Sequence, residues 1–181
     1  MRRRGWNTAA RGLTGISDND MNKHTVYIET SVISYLTARQ SRDPIVAAQQ
    51  RITKRWWKER LPESSPYISM AVLDEISMGD AAAAKKRKEA VQSYPLLDLN
   101  RQVLDLATAY FSITQLPEKA RMDSYHLALA AFHSMTFLVS WNFKHILGAS
   151  VRKAIQDFND DQCIRTPIIC NPSEMLEDEN A

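Results

Sequence analysis

Glu29 in "VYIETSVISYL", Glu75 in "AVLDEISMGD", Asp123 in "MDSYHLALAA" and Asn142 in "FLVSWNFKHI" set three carboxylates and one amide oxygen among apolar residues. Burying a carboxylate costs free energy unless it is paired, hydrogen-bonded or bound to a cation. Two carboxylates about 4 Å apart repel by roughly 4 kcal/mol at an effective dielectric near 20. These segments offer no arginine to match them. A hard divalent cation, Mg²⁺ or Mn²⁺, resolves the conflict, because it takes oxygen ligands and needs only a few carboxylates. Such an ion lowers the pKa of a bound water and stabilises charge developing on a phosphoryl group.

The elements that must position these groups follow from the chain's pattern. Short apolar runs alternate with helical periodicity, which predicts an α/β fold around a parallel sheet. Strands are expected over 25–28, 67–69, 96–99, 137–140 and 167–170. Asp43-Pro44 reads as an N-cap with proline at the first helical position, opening a helix to about residue 60. Its expected apolar face is Ile45, Ala48, Ile52 and Trp56. Further helices are expected over 71–77, 81–93, 101–113, 120–133 and 149–158, with Gly79-Asp80 and Asn100 as break and caps. In an open parallel sheet, sites form at the carboxyl ends of strands, where strand order reverses. Glu29 and Asn142 end strands, and Glu75 and Asp123 lie on or at the start of helices, so all four can face one cleft.

Composition narrows the class. A chain of 181 residues with 44% hydrophobic residues is long enough to bury a core as one domain. Residues 1–24 carry five lysine or arginine side chains against two aspartates, and the rest carries 18 against 19. Any nucleic-acid contact must therefore come from local patches. Residues 1–22 read as a disordered basic extension, with Met21 a natural first residue, and 23–181 as the folded domain. The arginine-rich start lacks the apolar stretch of a secretory signal. Two cysteines without metal-ligand spacing point to a reducing cytosol, and no apolar run is long enough to span a membrane.

Together with the closing "PIICNPSEML", the four motifs, in this order and at separations of 46, 48 and 19 residues, resemble the PIN-domain ribonucleases. Within that family the chain resembles the VapC-type toxins of type II (VapBC) toxin–antitoxin systems. The resemblance covers residue 25 to the C-terminus. It implies a three-layer sandwich with a central parallel sheet of about five strands and an acidic centre for Mg²⁺ or Mn²⁺. It also implies cleavage of RNA, inhibition by a cognate antitoxin protein, and pairing as a homodimer. Carried over by position, the catalytic metal ligands are Glu29, Glu75, Asp123 and Asn142. The family more often has aspartate at the first position, and often at the fourth. Asn142 removes one charge, so a single tightly held ion, with a second arriving alongside RNA, fits better than two resident ions.

Other residues carry two readings each. Thr30 and Ser31 either cap a helix or support the carboxylates, and Ser140 is placed with them as support. Glu75 is favoured over its neighbour Asp74 because it borders the apolar side marked by Val72 and Ile76. His126, one turn after Asp123, is a buried hydrogen-bonded histidine or a catalytic base. Lys144 and His145 are candidate phosphate contacts or a solvated turn. Arg51 and Arg55 in "RITKRWWKER", like "KKRK" at 85–88, are RNA-backbone contacts or solvated faces. Trp56 is expected in the core and Trp57 near a partner surface. If Asn142 marks a degenerate site, the alternative function is an RNA- or protein-binding module that keeps the fold and loses the chemistry. A nucleotide-binding α/β domain lacks its glycine-rich phosphate loop.

Overall fold

The computed structural model describes residues 23–177. The basic extension over 1–22 lies outside the described residues. Five strands form one parallel sheet: β1 (Thr25–Ile28), β2 (Ser65–Ser69), β3 (Leu96–Leu97), β4 (Phe137–Val139) and β5 (Ile168–Cys170). Their spatial order is β3-β2-β1-β4-β5, so the order reverses between β1 and β4. Helices α1 (Thr30–Thr37), α2 (Pro44–Glu59), α3 (Met70–Ile76), α4 (Ala81–Val91), α5 (Arg101–Thr114), α6 (Arg121–Phe132), α7 (Ala149–Gln162) and the short α8 (Glu174–Glu177) flank it. This is the expected α/β three-layer sandwich. Helix α1 packs against α2, α3 and α4, while α5 packs along α6 and against α7.

The central strands are apolar on both faces, as parallel strands covered by helices must be. Val26, Tyr27, Ile28, Leu138 and Val139 are all fully buried. Each strand lies within two residues of its expected place, and β3 is shorter than expected, pairing through Leu96 and Leu97 alone.

Helix starts follow local chemistry. Asp43 accepts from the Ile45 and Val46 amides, Asp80 from Ala83 and Asn100 from Val103. Gly79 takes φ +83, the left-handed turn that stops α3 before Asp80 starts α4. Arg87, within the basic run of α4, donates to the Ile76 and Met78 carbonyls and so serves the end of α3.

Two expectations change. Helix α1 has no expected range: "TSVISYLT" is rich in β-branched residues, and the cap that turns the chain helical is Glu29, not Thr30 or Ser31. The buried row of α2 is Ala47, Gln50, Thr53 and Trp56, whereas Ile45 is 70% exposed. Polar Gln50 and Thr53 face inward because each has a partner there. Gln50 accepts from the Ser41 amide and donates to the Arg39 carbonyl, and Thr53 accepts from the Trp141 indole at 2.7 Å. Trp56 is in the core, as expected. Trp57 is half-buried between Trp56 and Tyr94. Among the described residues no helix is long and apolar enough to cross a membrane.

Candidate metal centre

Glu29 follows β1 directly and is 5% exposed. Its amide continues the sheet by donating to the Val139 carbonyl, which fixes it at the β1–β4 boundary. Its Oε2 accepts from the Ser31 amide at 3.1 Å, from Ser140 Oγ at 2.7 Å and from Ser31 Oγ. Both serine oxygens also accept from the segment after β4, Ser31 from the Trp141 amide and Ser140 from the Asn142 amide. The two hydroxyls therefore tie the carboxylate to the neighbouring strand end. Among the described residues no hydrogen bond reaches Glu29 Oε1.

Glu75 reaches in from α3. Its Oε2 accepts from Thr30 Oγ1 and lies 3.0 Å from His126 Nε2. Burial opposes its ionisation, but the His126 contact and the Thr30 hydroxyl outweigh burial and hold its pKa below the usual value. Thr30, Ser31 and Ser140 thus all act on the two glutamates.

His126 is completely buried. Burial disfavours its charged form, yet Glu75 in contact and the charges of Glu29 and Asp123 raise its pKa above the usual value. Its Nδ1 lies 2.8 Å from Tyr27 Oη, which lies 2.7 Å from Ser69 Oγ, itself the acceptor of the Val72 amide. Burial drives the Tyr27 phenol far up, so it is neutral. Glu29, Glu75 and His126 each offer a ligand atom, and these atoms lie within 4.8 Å of one another. This buried group can bind a metal ion: two carboxylates and an imidazole are apt donors for a divalent cation.

Asp123 stands beside this group, not within it. Its side chain is 15% exposed. Oδ1 accepts from Asn142 Nδ2 at 3.0 Å, and Oδ2 lies 3.0 Å from His145 Nδ1. Burial is the largest influence on Asp123 and raises its pKa, against the opposing pull of His126, His145 and Asn142. Asn142 is placed differently from the oxygen ligand expected. Its Oδ1 accepts the His145 amide at 3.0 Å, and its nitrogen faces the carboxylate. The reverse orientation would set oxygen against oxygen and amide hydrogen against amide hydrogen, so this one is fixed by its neighbours.

His145 is held by Asp123, and its buried Nε2 has no hydrogen-bond partner. Lys144 is exposed. Arg51 is exposed on α2, and Arg55 is paired with Glu59 at 2.8 Å. Neither arginine is joined by a hydrogen bond or ion pair to the acidic group.

Sequence reasoning offers His126 as a buried hydrogen-bonded histidine or a catalytic base, not as a metal ligand, and does not single out Tyr27; the structure shows His126 buried and hydrogen-bonded. The signal was present for both. His126 is three residues after Asp123, on the same side of α6. Tyr27 is two residues before Glu29, so both project to the same face of an extended chain. Comparisons with protein-family models, with curated proteins and with solved structures find no match for this chain.

Proposed function

We propose that the chain is an endoribonuclease dependent on Mg²⁺ or Mn²⁺ and acts as the toxin of a type II toxin–antitoxin pair. The observation that carries this reading is the convergence of Glu29, Glu75 and His126 at the carboxyl end of the sheet, where strand order reverses. A divalent ion bound there supplies charge neutralisation at the scissile phosphate and a more acidic water. The protein's part is positioning. Ser31 and Ser140 fix Glu29, Thr30 and His126 fix Glu75, and Asn142 with His145 fixes Asp123 at the margin. Exposed Lys144 is offered to the RNA backbone. An antitoxin protein and a second copy of the chain are the partners this reading implies.

One observation favours the alternative of a binding module without catalysis. Both oxygens of Asp123 are engaged, by Asn142 and His145. Purified protein decides between the two. RNA cleavage that needs Mg²⁺ or Mn²⁺, stops with chelator and is lost in Glu29→Gln supports the nuclease. RNA left intact by well-folded protein with either ion overturns it. Growth arrest on induction, relieved by co-expressing a small gene next to this one, tests the toxin role; normal growth at high soluble expression removes it.

A further inference from the structure

We propose that His126 coordinates the ion through Nε2, so that the centre takes a first-row transition-metal dication such as Mn²⁺ in preference to Mg²⁺. This rests on the metal-dependent reading above and narrows its choice of ion.

Three features of the site point to it. The ligand atoms of Glu29, Glu75 and His126 lie within 4.8 Å of one another, and the imidazole belongs to that group while Asp123 does not. Glu29 is 5% exposed, yet all its side-chain hydrogen bonds fall on Oε2 and none reaches Oε1. Oε1 is not one of the buried atoms left without a partner, so it keeps access to solvent and is the oxygen of Glu29 free to meet a cation. The third feature is the far side of the imidazole. A ligating histidine characteristically has its other ring nitrogen held by a partner, which fixes both tautomer and ring orientation. Here Tyr27 Oη holds Nδ1 at 2.8 Å, Ser69 Oγ holds Tyr27 at 2.7 Å, and the Val72 amide anchors Ser69.

Hydroxyl hydrogens along that chain can point either way. With the Tyr27 hydroxyl donating to Nδ1, Nε2 carries the proton and donates to Glu75. With Nδ1 protonated and donating to Tyr27, the Tyr27 hydroxyl donates on to Ser69, and the Nε2 lone pair faces Glu75 Oε2 at 3.0 Å, a repulsion that a cation would relieve. The second arrangement suits coordination and needs no heavy atom of the chain to move. Two carboxylates and a neutral imidazole balance a dication. Mg²⁺ prefers oxygen ligands and keeps its waters, whereas an imidazole nitrogen favours transition metals.

The test uses the full chain and Mn²⁺ or Mg²⁺ alone. Electron spin-echo envelope modulation on bound Mn²⁺ should show one directly coordinated ¹⁴N. Calorimetry should show Mn²⁺ binding about tenfold or more tightly than Mg²⁺. His126→Gln should lose the nitrogen signal and the preference together. His145→Gln, a change at a partly exposed residue, should keep both, and Tyr27→Phe should weaken Mn²⁺ binding by about tenfold or more. Mn²⁺ bound with no nitrogen signal, or with one that vanishes in His145→Gln, overturns the inference while leaving a metal-dependent nuclease intact. If neither ion binds the folded chain, both are overturned.

Discussion

Asn142 donates its side-chain nitrogen to Asp123 Oδ1 across 3.0 Å, while its own oxygen accepts the His145 amide. An amide is the one side chain of this size that does both. Asn142→Asp keeps the oxygen for His145 but turns an attraction into the repulsion of two carboxylates. Without metal, the variant should lose about 2–4 kcal/mol at neutral pH and low salt. At 2–4 °C per kcal/mol for a chain of this size, the melting temperature should fall by several degrees. Mn²⁺ should restore much of the loss, giving a larger metal-induced rise than in the unaltered protein. Thermal unfolding with chelator and across a Mn²⁺ titration checks this; equal curves would mean that position 142 is not coupled to the centre.

Asp123→Asn should behave in the opposite way. Burial already raises the Asp123 pKa, so a neutral side chain of the same shape removes a charge the site tolerates poorly. The melting temperature of metal-free protein should hold or rise. RNA cleavage should fall on the order of 100-fold or more, as for loss of one charge-positioning group at a reacting phosphate. Because Asp123 lies outside the group of three, Mn²⁺ binding should survive. Cleavage at the unaltered rate would remove Asp123 from the machinery.

Ser31→Ala tests the tie between strand ends. Ser31 Oγ donates to Glu29 and accepts from the Trp141 amide at 2.8 Å. Its removal leaves a part-buried backbone donor and a carboxylate each short of a partner, at a cost of about 1–3 kcal/mol. Urea denaturation should show this as a lower midpoint with an unchanged slope. Ser31→Thr, which keeps the hydroxyl, should recover most of it.

The Glu75–His126 pair gives metal-free protein a stability optimum in pH. Glu75 has its pKa lowered on folding, so its contribution is present above the unfolded value near 4.5 and is lost as pH falls through the folded value. His126 has its pKa raised, so its contribution is full below 6.5 and is lost as pH rises through the folded value. The pair therefore stabilises most between about pH 4.5 and 6.5. Melting temperatures of chelated wild type and His126→Gln, measured from pH 4 to 9, should converge on the alkaline side. A constant difference between them across that range would show that the imidazole does not titrate with folding.

The strands were legible because a sheet covered on both faces demands continuous apolar runs, and "TVYI", "FLV" and "IIC" are such runs. Helix α1 was hidden by its valine, isoleucine and threonines, whose strand preference is overridden by the Glu29 cap and by packing against α2, α3 and α4. Likewise the inward row of α2 holds Gln50 and Thr53 because the Arg39 carbonyl and Trp141 indole need partners. Hydrophobic periodicity carries no information about such needs. In the centre, the acids could be read from their apolar settings. What they touch could not: the orientation of Asn142 depends on the His145 amide, and the place of His126 depends on Tyr27, 99 residues earlier.

Strand β1 sits in the middle of the sheet although it comes first in the chain, and that order constrains how the centre comes into being. Tyr27 waits 42 residues for Ser69, and Glu29 waits 111 residues for Ser140. Contacts so distant in sequence close large loops, which makes them slow and late in folding. A chain emerging from the ribosome exposes both glutamates long before Asp123, His126 and Ser140, the second of the serines that fix Glu29, exist. Until then it carries the acids without the geometry, and the centre assembles only once β4 slots in beside β1.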